Sequence, residues 1–124
     1  MKQVLSIEQM KHLREIGMDT SDGSMHFEWN ESDSGNMVVT SPDADTNYDY
    51  YHKTYTLQDI LDKLPCFIGN EVLTMQKLAD SYTCLYMEPY SRSIIKITES
   101  KEPIDAAYDM LCWCIENRYI KKEE

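Results

Sequence analysis

The residues best suited to chemistry in this chain are carboxylates near its middle. Asp43, Asp45 and Asn47 alternate along the chain as the first oxygen ligands of an EF-hand calcium loop do. The pattern then fails, because the sixth position is Tyr48 instead of Gly and the twelfth is Thr54 instead of Glu. An Asp-rich turn, in which short carboxylates accept hydrogen bonds from nearby backbone amides, is the alternative. The sequence favours this turn over a cation site, and it predicts neither a metal nor another cofactor.

Cysteine and histidine are the other candidate ligands and nucleophiles. Cys112 and Cys114 fall within a predicted helix, where side chains two residues apart point about 200° apart and cannot easily bind one ion. We expect both to be small buried side chains. We expect all four cysteines to be reduced, because no apolar export signal is found at the start of the sequence. His12, His26 and His52 are far apart in sequence, and no nucleophile motif or Gly-rich phosphate loop accompanies them.

Most of the net negative charge lies in one acidic segment, residues 17–51. It contains no Lys or Arg and eight Asp or Glu residues, in a chain of 124 residues with a net charge of −10. Tyrosines follow closely, and their large apolar faces with polar tips suit recognition surfaces. The interaction residues predicted here are Asp43, Asp45, Asp49, Tyr48, Tyr50 and Tyr51. The alternatives are that the carboxylates form a solvated loop and that the tyrosine rings cover the edge of a sheet.

The elements that must position these residues begin with three helices. The first starts after Ser6, which has a Gln three residues on in capping-box spacing, and stops at Gly17. The second is capped by Thr56 and stopped by Pro65. The third runs from about residue 103 to residue 117.

Five strands complete the prediction. Residues 25–29 and 36–40 read as a hairpin around a polar turn, and residues 72–78, 82–87 and 93–98 read as a three-stranded meander. Short turns make these strands antiparallel, and the helices must cover one face of their sheet. The predicted fold class is therefore α+β, in a single domain over residues 1–124. It has a small antiparallel sheet (hairpin plus three-stranded meander) with about three helices packed on it.

The third helix is predicted to have two apolar faces. One stripe, expected against the sheet, consists of Ile104, Ala107, Tyr108, Leu111 and Ile115. Trp113 lies nearly opposite that stripe, with Ala106, Met110 and Asn117 beside it. Either helix one or helix two packs over Trp113, or Trp113 and Met110 form a surface for self-association or for a partner protein.

Three stretches of the chain resemble a protein family. They are residues 18–21 (MDTS), 55–65 (YTLQDILDKLP) and 105–114 (DAAYDMLCWC). Together they resemble a family of short proteins from prophages and other mobile elements of Bacteroides-type gut bacteria. The resemblance runs from about residue 5 to residue 120 and is least in the acidic segment. It implies a cytoplasmic protein, and it carries over no catalytic motif.

Composition excludes some functions and leaves three hypotheses. No apolar run approaches the ~20 residues that would span a bilayer. The net charge of −10 argues against a nucleic-acid binder, which needs clustered Lys and Arg. We expect a non-enzymatic interaction protein of a mobile element, which acts on a protein partner or on itself through an acidic, Tyr-rich surface. The alternatives are a small carboxylate- or metal-dependent hydrolase and an acidic mimic of nucleic acid.

Overall fold

In a computed structural model of the chain, residues 2–30, 36–40 and 53–120 are described, with residues 28–30 and 36–40 described by their backbone alone. Their elements are α1 (Ile7–Glu15), β1 (Met25–Asn30), β2 (Asn36–Thr40), β3 (Lys53–Thr54), α2 (Leu57–Lys63), β4 (Phe67–Ile68), β5 (Glu71–Lys77), β6 (Tyr82–Met87), β7 (Ile94–Ser100) and α3 (Pro103–Glu116). The α+β fold class is confirmed. None of the helices in the described ranges combines the length and apolar character that crossing a membrane requires.

The helix ends are set by the capping residues that the sequence indicated. The Ser6 hydroxyl accepts a hydrogen bond from the Gln9 amide (3.1 Å), and the Gln9 side chain accepts one from the Ser6 amide (2.9 Å). Thr56 and Asp59 form the same reciprocal box at the start of α2. Gly17, with a φ of 106°, turns the chain out of α1. α1 and α2 therefore begin where a capping box satisfies their free backbone groups, whereas α3 begins at Pro103 without a side-chain cap.

The strands form two sheets instead of the single sheet that we predicted. The predicted hairpin, β1 with β2, is present, but it pairs with the short strand β3 in a three-stranded sheet of order β2-β1-β3. The predicted meander, β5 to β7, gains β4 and forms an antiparallel sheet of order β4-β5-β6-β7. Both β3 and β4 have only two residues. Strands of two residues carry no alternation that a sequence pattern could reveal.

A short segment, residues 53–56, links the three-stranded sheet to the helices. On one side, β3 pairs with β1 at Met25 and His26. On the other side, the Leu5 amide donates to the Tyr55 carbonyl (3.0 Å), and the Thr54 hydroxyl donates to the Leu5 carbonyl (2.7 Å). The backbone of this segment is therefore held from both sides.

The main core lies between α3, α2, α1 and one face of the four-stranded sheet. Its fully buried members include Tyr55, Tyr86, Met10, Leu13, Ile60, Ile104, Met110, Leu111 and Cys114. Two hydroxyl groups join the layers: Thr98 on β7 donates to the Ala106 carbonyl of α3 (2.7 Å), and Tyr86 on β6 donates to the Pro65 carbonyl (2.7 Å). Each of these two hydroxyl groups is thus paired, and each bond fixes one element against another.

Burial on α3 is wider than the predicted stripe and is rotated toward Trp113. Ala106 and Met110, placed on the second face by the sequence, are fully buried, whereas Tyr108 is half-buried. The reason is that α3 packs against α2 as well as against β6 and β7, so that about half of its circumference is covered. Met110 is therefore a core residue, and its assignment to an exposed interaction surface is wrong.

Candidate interaction surface

The residues that the sequence assigned to an acidic, Tyr-rich surface are outside the described part of the chain. These are Asp43, Asp45, Asp49, Tyr48, Tyr50 and Tyr51. Trp113, the other predicted interaction residue, is half-buried at the border of the core, and its ring lies 5.2 Å from the ring of Tyr119. Of the predicted set, Trp113 is thus the one described residue that is still partly accessible.

The four-stranded sheet has a second face that no described helix covers. Register defines this face, because residues directly opposite each other on neighbouring strands point to the same side. Leu85 on β6 is opposite Thr74 and Ile97, Met87 is opposite Val72, and Val72 is opposite Phe67. We call this side the open face; register places on it Phe67, Val72, Thr74, Gln76, Thr83, Leu85, Met87, Ile94, Ile97 and Glu99.

The open face is largely apolar and in part exposed. Phe67 is 63% exposed and Ile97 is 48% exposed, whereas Leu85 at the centre is 1% exposed. Together the exposed side chains present on the order of 400 Å² of apolar surface, which is within the range of about 300–600 Å² for the largest apolar patch of a typical monomer, a patch that is often functional. In a standard interface each partner buries ~800 Å² of surface, of which somewhat more than half is apolar. The apolar area of the open face is close to that apolar part.

Strand β7 turns its polar side chains toward the core and its apolar side chains away from it. The Thr98 hydroxyl bonds to α3, so Thr98 faces the core side, and by alternation Lys96 and Ser100 face that side as well. Ile97 therefore points to the open face, where it is exposed, and Ile94 and the bulge residue Ile95 before it are exposed as well. A sheet with one face on a core normally turns its apolar residues inward. Here the apolar side of β7 is turned outward.

β7 is also an edge strand. In the described part of the chain it pairs with β6 on one side only, and it has seven residues, whereas the opposite edge strand, β4, has two. Its pairing with β6 contains one irregularity, between Tyr86 and Met87, near its N-terminal end. Tyr86 is opposite Lys96 and Met87 is opposite Ile94, so Ile95 is the extra residue of a bulge, and the strand is regular only from Lys96 onward.

One charged pair lies between this edge and α3. The pKa of Asp109 is raised, first by burial and then by Asp105, while the nearby positive charge of Lys96 acts in the opposite direction. Lys96 on β7 and Asp109 on α3 are thus close in space. Trp113 lies one helical turn beyond Asp109, on the same flank of α3.

A separate polar cluster joins the loop after α1 to α2. The Tyr55 hydroxyl donates to Asp22 (2.8 Å) and to the Asp19 carbonyl (3.1 Å), and Lys63 pairs with Asp22 while lying over the Tyr55 ring. Burial acts to raise the pKa of Asp22, but the hydrogen bonds from Lys63 and Tyr55 hold it below the ordinary value. Burial and Asp22 raise the pKa of Tyr55. Because its pKa is raised, the Tyr55 hydroxyl stays neutral, and each group of the cluster has a partner. The cluster is therefore better suited to fixing the loop after α1 against α2 than to transferring protons.

The four cysteines are free thiols. Cys84 and Cys114 are buried, and burial raises the pKa of Cys84 to about 12 and that of Cys114 to about 11. Cys112 is half-buried, and Cys66 is exposed. The prediction of a buried thiol is confirmed for Cys114 and holds only in part for Cys112, which lies at the edge of the covered side of α3.

Sequence reasoning missed the open face, although part of its signal is visible. The run Ile94-Ile95-Lys96-Ile97 marks alternate apolar positions, but alternation does not say which side of the strand meets the core.

Within residues 2–30, 36–40 and 53–120, no group of three or more His, Cys, Asp or Glu residues is arranged to hold a metal ion. Comparisons with protein-family models, with curated proteins and with solved structures found no match to this chain.

Proposed function

We propose that this chain is a non-enzymatic protein-interaction module whose partner docks on the open face. The observation that carries the proposal is the reversed polarity of β7, which turns Ile97 away from the core and leaves Ile94 and Ile95 exposed. Each exposed Ile on that side costs solvation free energy in the isolated chain, and a partner that covers it recovers roughly 1.5–3 kcal/mol per fully buried side chain.

The charge of the chain favours one kind of partner. Glu99 on β7 is exposed and is opposite Thr83, so that it lies at one end of the open face. The chain as a whole carries a net charge of −10. A protein surface with an apolar centre and a basic margin is complementary to this arrangement, since opposite potentials speed association and suppress wrong partners.

The setting of this module is proposed from the sequence resemblance. The stretches at residues 18–21, 55–65 and 105–114 support a role in a mobile element of a gut bacterium, and the free thiols fit the reducing cytoplasm. The hydrolase and nucleic-acid-mimic hypotheses depend on the acidic segment, much of which is outside the described residues. They stay predictions.

The first test measures the open face directly with Nile red, a neutral dye that fluoresces on apolar surfaces. The variant is Phe67→Thr with Val72→Thr, on cross-strand partners that lie far from β7. The matched control is Leu78→Thr, since Leu78 is 44% exposed in the turn after β5. We expect the double variant to lose most of the dye signal and the control to keep it. Equal signals from all three proteins would contradict the proposal.

The second test asks whether a partner uses that face. Immobilised wild type, double variant and control are compared for proteins retained from host extract, and each retained protein is then purified and titrated against all three. The proposal requires that one retained protein be basic and bind wild type and Leu78→Thr with equal affinity. Its affinity for the double variant should be lower by at least about tenfold, and its binding to wild type should weaken with added salt. A purified partner that binds the double variant as tightly as wild type would overturn it.

A further inference from the structure

We infer that the partner of the open face also binds the turn between β6 and β7, residues 88–93, where Tyr90 enters an apolar pocket of the partner and Arg92 pairs with a carboxylate beside that pocket. This inference rests on the proposed function and adds the chemistry of the partner's contact site. It stands on the graded polarity of the open face, on the exposure of Tyr90 and on the guanidinium of Arg92.

The open face becomes more polar from one end of the sheet to the other. At the end beside the β4–β5 and β6–β7 turns, register places a row of four apolar side chains across the strands: Phe67, Val72, Met87 and Ile94. At the far end the corresponding row is Gln76, Thr83 and Glu99. Apolar area is therefore concentrated beside the two turns, and a partner centred on it also reaches residues 88–93.

The backbone of residues 88–93 is fixed by its own hydrogen bonds. The Glu88 carboxylate accepts from the amides of Tyr90 (3.1 Å) and Ser91. The Glu88 amide donates to the Ser93 carbonyl (2.9 Å), and the Arg92 amide donates to the Glu88 carbonyl (2.8 Å). Because this turn is already ordered in the free chain, little backbone freedom is lost when a partner binds it, and the cost of association is lower.

Tyr90 is a large side chain that contacts almost nothing in its own chain. It is 95% exposed, more than any other large hydrophobic residue in the described part of the chain. A ring that stands out from the surface fits a concave site, and Tyr is enriched among the residues that dominate binding energy. The buried phenol of a Tyr usually has a hydrogen-bond partner. The partner should therefore offer an apolar pocket that contains a polar group for the phenol.

Arg92 adds a positive charge to this end of the open face. Its guanidinium has no ion-pair partner among the described residues, and the Glu88 carboxylate in the same turn is bound by amides. The backbone at Arg92 has a φ of 60°, which Gly adopts at lower cost, so the turn itself does not require an Arg. Arg binds a carboxylate through two parallel hydrogen bonds. A partner with a carboxylate near Arg92 and basic groups near Glu99 is thus held in one orientation.

The first test uses the protein that the titration above identifies as a ligand of the open face. Tyr90→Ala and Arg92→Gly should each lower its affinity by at least about tenfold, and Arg92→Lys should keep only part of the wild-type affinity. Arg118→Gly is the matched control, because Arg118 is exposed, has a φ of 64° and follows α3 on the helix side of the sheet. It should bind like wild type.

Thermal denaturation separates loss of binding from loss of folding. The melting temperature should be unchanged for Tyr90→Ala and unchanged or higher for both Gly variants, since Gly relieves the left-handed backbone. A partner that loses affinity for the Phe67→Thr, Val72→Thr double variant but binds Tyr90→Ala and Arg92→Gly like wild type would overturn this inference and leave the proposed function standing. A partner that binds the double variant like wild type would instead overturn the proposed function, and this inference with it.

A second probe does not depend on the host. Short random peptides displayed on phage are selected on immobilised wild type, and those that lose binding to the double variant are sequenced. We expect these peptides to combine apolar residues with an Asp or Glu, and to bind Arg118→Gly but not Arg92→Gly. Peptides without an acidic residue, or peptides that bind Arg92→Gly as tightly as wild type, would contradict the carboxylate contact.

Discussion

Replacing Gly23 with Ala tests whether residues 53–56 are held as firmly as their contacts indicate. Gly23 is buried beside β3, and a Cβ added there would lie 2.8 Å from the Thr54 carbonyl oxygen and 2.9 Å from the Thr54 amide nitrogen. Both are backbone atoms. Since β1 holds Thr54 from one side and Leu5 holds it from the other, the segment has little room to move away.

The expected cost follows from two opposing effects. Forcing an extra methyl group against a fixed backbone costs about 1–3 kcal/mol. Replacing Gly with Ala also restricts the unfolded chain, which returns about 0.4–1 kcal/mol. Taken at the midpoints of these ranges, about 2 and about 0.7 kcal/mol, the net loss in the free energy of unfolding for Gly23→Ala is about 1.3 kcal/mol. A domain of this size has roughly 5–15 kcal/mol in total, so the variant should fold, with a melting temperature lower by about 5 °C.

Urea denaturation of wild type and Gly23→Ala measures this loss. Ser21→Ala, an exposed change in the same loop, is the control and should move the midpoint little. A Gly23→Ala variant as stable as wild type, or more stable, would show that Thr54 can shift by several tenths of an ångström. The description of residues 53–56 as a segment held from both sides would then be wrong.

Three further predictions concern a cap, a carboxylate and the thiols. Thr56→Ala removes the acceptor for the Asp59 amide and should lower the free energy of unfolding by about 0.5–2 kcal/mol in urea; an unchanged midpoint would mean that α2 does not depend on this cap. Asp105 has a lowered pKa, because hydrogen bonds from Gln9 and Lys2 outweigh the opposing effect of burial. The ionised Asp105 carboxylate therefore stabilises the fold above pH 3.8, and this stabilisation is lost as the pH falls through the lower pKa of the folded state. The difference in the free energy of unfolding between wild type and Asp105→Asn should accordingly narrow below that pH. A difference that widens in acid would refute the assignment. With a thiol reagent under native conditions, Cys66 should react first and the buried thiols only on unfolding; labelling of all four at one rate would contradict their burial.

The local elements of this fold could be predicted because their causes are local. Ser6, Thr56 and Pro65 act on backbone groups within a few residues, and they set the helix ends that the structure has. The hairpin and the meander were visible for the same reason, since short polar turns separate their strands. The helix and strand segments were therefore identified, apart from the two-residue strands.

The arrangement of these elements depends on contacts that are distant in sequence. Nothing near Lys53 indicates that β3 pairs with β1, and nothing within α3 indicates that α2 will cover Met110. The alternation in β7 groups Ile95 with Ile97, but the choice of inward side is made by Thr98 and its bond to α3. The candidate surface thus depended on tertiary packing, which periodicity alone does not determine.

The double pairing of residues 53–56 has a consequence for the order in which the chain folds during synthesis. The meander and α3 contact neighbours that are close in sequence, so they can form soon after they leave the ribosome. Val4 and Leu5 must instead find Thr56 and Tyr55, some fifty residues later. The amino-terminal segment therefore emerges first but completes its pairing only after residues 53–56 have emerged. Until then Val4 and Leu5, which are buried in the folded chain, lack the segment that pairs with them.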